Sequence, residues 1–215
     1  MIVALGINSI LKEANYYAIS VLLVIAAIAL LVWRFEKKQI LLRDVVMISV
    51  LVSMAVVGRL IFFAVPQVKP CAAIVIITGI MLGKEAGIIC GFLTAFVSNF
   101  FFGQGPWTPW QMLAFGAVGF VAALVFSGNI LEEKENKMVL AVFGFLVVLI
   151  VYGLIVDTGS VFMMLDRPTW KGALGIYGAG IVFNITHAIA TAVFLWLLAK
   201  PLMMKIDRVK KKYGE

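Results

Sequence analysis

Apolar runs long enough to cross a bilayer recur along the chain, separated by short clusters of charge, proline or glycine. A helix needs about 18 or more such residues to cross about 30 Å of hydrocarbon. The first run, 16–33, carries an aromatic at each end, as interfacial anchors do, and Arg34, Glu36, Lys37 and Lys38 stop it. Without a small-residue cleavage site it reads as a retained helix, not a signal peptide. A second span is predicted over 44–63, where Pro66 and Pro70 prevent its continuation. Shorter spans follow over 71–82 and 88–102, joined by the charged turn 83–87. Such short spans are tolerated inside a bundle when their backbone ends face a cavity. The loop 103–110, rich in Gly, Pro and Trp, leads to a span over 111–126, and a polar linker, 131–137, leads to another over 138–156. A long loop, 157–172, precedes the last span, 173–199, and a basic tail closes the chain.

Composition agrees: 63% of residues are hydrophobic and 13% charged, against about 45–50% and about 25% in soluble domains. The expectation is an all-α membrane protein of about seven transmembrane helices, divided into an N-terminal helix and basic linker (1–40), a six-helix membrane domain (41–200) and a basic tail (201–215). The net charge of +7 could suggest nucleic acid, but the basic residues cluster at helix ends, where loop bias and anionic lipid account for them. No nucleic-acid partner is expected. Lys12, Lys69, Arg167 and Lys171 fall on one side and nearly all other Lys and Arg on the other. The positive side stays inside, so the C-terminus is expected in the cytoplasm of a cell-membrane protein and, with seven spans, the N-terminus outside.

Polar residues in hydrocarbon are costly and mark cavities or paired sites. Asn99 ends one span and Gln111 begins the next, with Gln104, Trp107 and Trp110 between them, so all five are expected at the outer face. Flat aromatics with directed amides suit a small-molecule pocket, while interface anchoring explains the tryptophans equally well. His187, the only histidine, lies one turn after Asn184. Without a second ligand at metal spacing it reads as hydrogen-bonded between helices. Arg59 either snorkels outward or pairs with Asp157 at the start of the long loop. Small residues four apart, including Gly87, Gly91 and Ala95, and also Ser49 and Ser53, point to close helix packing or to a face that docks another protein. Cys71 and Cys90 lie in apolar context without a CxxC, so neither a disulfide nor a metal site is indicated. Hydrolase and metalloprotease motifs are absent, and Gly79–Glu85 lacks the spacing of a phosphate loop.

Several stretches resemble the substrate-binding S components of energy-coupling-factor (ECF) vitamin transporters: Ala55-Val56-Val57-Gly58-Arg59, Pro66-Gln67-Val68-Lys69-Pro70, and above all Ser98–Met112 with its Gly-Pro-Trp-Thr-Pro-Trp-Gln-Met core. The resemblance covers about residues 44–200 and leaves the first helix outside the six-helix core. It implies a subunit that captures a vitamin-like molecule from outside, cobalamin being the first choice. It also implies docking onto one transmembrane coupling protein and two ATPases, with no cofactor and no ATPase of its own. The expected substrate residues, read from the polar positions above, are Arg59, Lys69, Asn99, Gln104, Trp107, Trp110, Gln111, Asn184 and His187. The family's docking motif, Ala-x-x-x-Ala, appears only as Ser49-x-x-x-Ser53 with Ala55 nearby. Two other readings are a membrane enzyme acting on lipid or prenyl substrates, with His187 as base and Arg59 or Lys69 on phosphate, and a secondary transporter coupled through Asp157.

Overall fold

The computed structural model describes residues 42–126, 136–165 and 169–213, with the isolated positions Leu22 and Ala26. The expected N-terminal helix and its basic linker, most of the polar linker 131–137, and Asp166 and Arg167 lie outside the described residues. Among the described residues there are six helices and no strand: α1 Leu42–Ile61, α2 Cys71–Leu82, α3 Lys84–Phe102, α4 Thr108–Val125, α5 Lys137–Met164 and α6 Trp170–Tyr213. All but α2 are long and apolar enough, by length and composition, to cross a membrane.

The short helix is the centre of the bundle. Its sequence, CAAIVIITGIML, has no polar face, and a helix apolar all round must be enclosed. Every residue from Cys71 to Ile80 is buried, against α1, α3, α4 and α6. Its one hydroxyl, Thr78, returns its proton to the Ile74 carbonyl at 2.8 Å. Gly83, at φ 94°, reverses the chain into α3 in a conformation that disfavours any side chain. The Lys210 Nζ reaches back from α6 to the Met81 carbonyl at 3.1 Å, placing a cation on the C-terminal end of α2.

The most extensive contact joins α3 and α4. It depends on glycine: a Cβ on Gly87 would stand 2.7 Å from the Gly119 carbonyl oxygen, and one on Gly119 would stand 2.6 Å from the Gly87 carbonyl carbon. The stripe of small residues on α3 is therefore spent on packing within the chain. The outward faces remain apolar, with Val50, Val57 and Ile61 on α1 and Val142, Leu146 and Ile150 on α5 all exposed, as suits contact with lipid.

Several boundaries differ from the sequence expectation: α3 begins at Lys84, so most of the expected turn 83–87 is helical, α4 begins at Thr108, and two further differences are larger. The helix predicted to end at Val156 runs to Met164, so Asp157 is buried in a helix and does not open a loop. Its polar run stays helical because each side chain is engaged: Thr158 Oγ1 bonds the Leu154 carbonyl and the Tyr177 hydroxyl, Ser160 bonds the Val156 carbonyl, and Asp157 accepts from Asn184. A π-helical turn, Val148–Tyr152, interrupts α5 and brings Tyr152 to the interior. The last helix does not stop at Ala199 but continues through Pro201 to Tyr213, 44 residues in all, about 66 Å at about 1.5 Å per residue.

Candidate functional site

A cavity of about 370 Å³ opens at the end of the bundle formed by the α1–α2 loop, the C-terminal turns of α5 and the N-terminal half of α6. Among the residues predicted for the site, Arg59, Lys69, Gln111, Asn184 and His187 line it. The sequence reading missed Gln67, Phe115, Tyr152 and Ser160, and placed Asp157 as a loop residue that pairs with Arg59 or couples an ion; all five line the cavity too. The turn at Tyr152 sets a face of α5 that carries Tyr152, Val156, Ser160 and Met164 at helical spacing, all turned to the cavity.

Asn99 and Gln104 do not line the cavity; they support it. Asn99 is fully buried, and its Oδ1 accepts from Arg59 Nη1 at 2.9 Å while its Nδ2 donates to Thr108 Oγ1 at 3.0 Å and to Gln111 Oε1 at 2.9 Å. Arg59 Nη1 also bonds Ser98 Oγ. Thr108 Oγ1 donates to Gln104 Oε1 at 2.9 Å, and Gln104 Nε2 donates to the Phe96 carbonyl at 2.9 Å. With its carbonyl oxygen held by Asn99, Gln111 has its amide N–H groups to offer the cavity. Arg59 is thus bound to α3 and not to Asp157, whose Oδ2 accepts instead from Asn184 Nδ2 at 2.7 Å. The one expected ion pair is replaced by two separate hydrogen-bonded groups at the same cavity.

Both tryptophans lie elsewhere. The Trp107 indole folds onto Gly105 in its own loop and is 41% exposed. Trp110 stacks on Phe162 with centroids 6.0 Å apart and planes at 17°, and packs on Gly159, joining α4 to α5. The cavity's aromatic surface comes from Phe183 and from Phe115 and Tyr152, the latter two with rings 4.8 Å apart and both against His187. Ala55, expected on a docking face, is fully buried, because its face of α1 meets α2, where its carbonyl accepts from Cys71 Sγ. Ser49 and Ser53 are exposed, with their hydroxyls bonded to carbonyls one turn back.

His187 is buried, and its Nδ1 lies 3.0 Å from the Gln67 carbonyl oxygen. A carbonyl only accepts, so Nδ1 carries the proton, and in the neutral ring Nε2 presents a lone pair. That nitrogen has no hydrogen-bond partner among the described residues. Gln67 itself sits at φ 60°, the one described non-glycine residue with positive φ, which costs backbone energy and turns its carbonyl toward α6.

Lys69, in the α1–α2 loop, shares the Phe102 ring with Arg59: Nζ is 5.8 Å and the guanidinium carbon 4.5 Å from the centroid. Partial burial, and then repulsion from Arg59, lowers the Lys69 ammonium below its ordinary pKa. The fold therefore favours its neutral form, so Lys69 loses its proton at lower pH than an isolated lysine. An NMR titration of the ¹³C-methylated Lys69 should show it deprotonating at lower pH than a methylated lysine in a short unstructured peptide. Coincident titration with the peptide would contradict this geometry.

A polar-lined cavity of small-molecule size, enclosed by membrane-length helices, defines a multi-pass membrane protein built to hold a solute. The comparisons make the class specific: residues 39–204 match the family model described as ECF-type riboflavin transporter, S component, and the chain belongs to that family. It is a substrate-specific membrane subunit of the ECF transporter class, a transport subunit and not an enzyme, without its own ATPase. Among curated proteins it is similar to a UPF0397 protein of Vibrio atlanticus (strain LGP32), 31% identical over 125 residues, covering 55% of this chain and 67% of that one. A UPF0397 protein of Aliivibrio fischeri (strain MJ11) is 26% identical over 114 residues, covering 48% and 62%. The matches thus span about two thirds of these relatives. No solved structure gives a significant match.

Proposed function

We propose that the chain binds a compact vitamin with a flat ring and a hydrogen-bonding edge, riboflavin first among them, in the cavity between α4, α5 and α6. The observation that carries this reading is the cavity lining: Phe115 and Tyr152 supply flat apolar surface, Gln111 supplies N–H donors, and His187 Nε2 and Asp157 supply acceptors. A flavin ring system offers both donors and acceptors along one edge of a flat apolar body, which suits such a lining. The volume of about 370 Å³ lies low in the range of about 300–1,000 Å³ typical of small-molecule sites. It favours a compact vitamin over cobalamin, whose corrin and nucleotide are far larger. The family description points the same way.

In this reading the cavity faces outward, because it lies at the end of the bundle opposite the basic C-terminal segment, which the positive-inside bias holds in the cytoplasm. Delivery then proceeds by docking to a transmembrane coupling protein and two ATPases, with the exposed Ser49 and Ser53 edge of α1 as the docking side. The test of the substrate is extraction of the protein purified from cells grown in rich medium, followed by mass spectrometry of the released small molecules. A flavin at near one per chain is the expected result. A corrin at that ratio would overturn the substrate, and no retained vitamin of any kind would count against the cavity as its site.

A further inference from the structure

The other end of the bundle carries a second recess. A groove of about 450 Å³ lies between the start of α5 and the distal part of α6, lined by Lys137, Lys200, Pro201, Met204, Lys205 and Arg208. Four of its six lining residues are cations and none is acidic. The nearest described carboxylate in sequence, Asp207, is taken by Lys211 at 2.7 Å.

The groove also has an apolar approach. Above it on α6, at helical spacing, Val193, Trp196 and Leu197 are exposed; above Lys137 on α5, Met138, Val142 and Leu146 are exposed at intervals of four. Lys137 Nζ lies 5.9 Å from the Trp196 ring centroid, which ties the mouth of the groove to the first of these stripes. Pro201 sits at the junction and has no N–H to give the Leu197 carbonyl, so the helix is loosened where the charged and apolar parts meet.

A ligand matching this arrangement bears a phosphate for the cations and hydrocarbon for the two stripes. We propose that the groove binds the headgroup phosphate of one anionic phospholipid, with its acyl chains along the exposed stripes of α5 and α6. A free phosphate ester would satisfy the cations but leave the stripes unused. Basic recesses between transmembrane helices recognise anionic headgroups through the same combination of charge and position. The site is independent of the vitamin cavity, with which it shares no residue.

The test uses the full chain in mild detergent with equal amounts of phosphatidylglycerol and phosphatidylcholine of identical acyl chains, read by native mass spectrometry. One phosphatidylglycerol should be retained, with a preference of roughly tenfold or more over phosphatidylcholine. The double variant Lys200→Gln/Arg208→Gln should lose most of that preference while still binding the vitamin. Lys84→Gln/Lys212→Gln, which removes equal charge outside the groove and leaves the Asp207–Lys211 pair in place, should keep it. Lys137→Gln/Lys205→Gln supplies the same test should the first pair fail to fold. Equal retention of both lipids, or an equal loss in the Lys84/Lys212 variant, would overturn the site in favour of diffuse attraction. Displacement of the lipid by millimolar inorganic phosphate would assign the groove to a soluble anion and overturn the lipid.

Discussion

Gly119→Leu is expected to yield almost no folded protein, while Gly175→Leu is expected to behave like the unsubstituted chain. At Gly119 even a Cβ would stand 2.6 Å from the Gly87 carbonyl carbon and 2.9 Å from its Cα, and both atoms are backbone. No rotamer change relieves such a clash, so α3 and α4 must separate. Overpacking of a core costs about 1–3 kcal/mol when side chains can give way. Parting two backbones along the most extensive interface in the bundle should exceed that, at about 4 kcal/mol or more. Separation also disturbs the Asn99–Gln111 hydrogen bond, which spans the same two helices and orients the cavity amide. Nothing lies within 4 Å of a Cβ at Gly175. Size-exclusion yield and thermal melting in detergent read both variants. A Gly119→Leu protein melting within a few degrees of the parent would contradict the packing account.

The second large effect is expected at His187. Replacement by Phe preserves a ring between Phe115 and Tyr152 but removes both the Nδ1–H given to Gln67 and the free Nε2 acceptor. A ligand donor buried against carbon in place of nitrogen loses about 1–3 kcal/mol, roughly five- to 150-fold in affinity. Loss of the Gln67 bond also frees the positive-φ turn of the α1–α2 loop. Trp107→Ala, by contrast, should weaken binding less than threefold, because that ring packs on its own loop and does not line the cavity. Calorimetric titration of the three proteins with riboflavin gives the ranking. A Trp107→Ala loss larger than that of His187→Phe would return the site to the tryptophan loop.

Much of this arrangement was legible in the chain because bilayer chemistry leaves few options. Apolar runs bounded by charge became helices, and the run between Pro70 and Gly83, too short for a simple crossing and without a polar face, became the enclosed central helix. Costly intramembrane polar groups marked the interior correctly at Arg59, Asn99, Gln111, Asn184 and His187, all of which face the cavity or brace it.

What escaped the sequence depended on directions that spacing alone does not fix. Trp107 and Trp110 have the right composition for a pocket, but whether a Gly-Pro loop folds inward or onto itself is decided by contacts with Gly105 and Gly159. The run Asp157-Thr158-Gly159-Ser160 looks like a loop on polarity. It remains a helix because partners on α4 and α6, Trp110, Tyr177 and Asn184, meet those residues. Tyr152 carried no signal distinguishing it from a lipid-facing aromatic, since its inward aim follows from the π-helical turn before it. Ala55 turns inward for a similar reason: it lies two residues past Ser53, on a different face of α1.

The central claim is that the cavity lined by Gln111, Asp157, Asn184 and His187 is where a vitamin binds. Titration of the purified, ligand-stripped protein with riboflavin, followed by quenching of flavin fluorescence, tests it most directly. Saturable quenching at one flavin per chain is expected, weakened at least roughly fivefold in Gln111→Leu and in His187→Phe. Absence of quenching in protein that retains its helical circular dichroism, or saturable quenching unchanged in both variants, would contradict it.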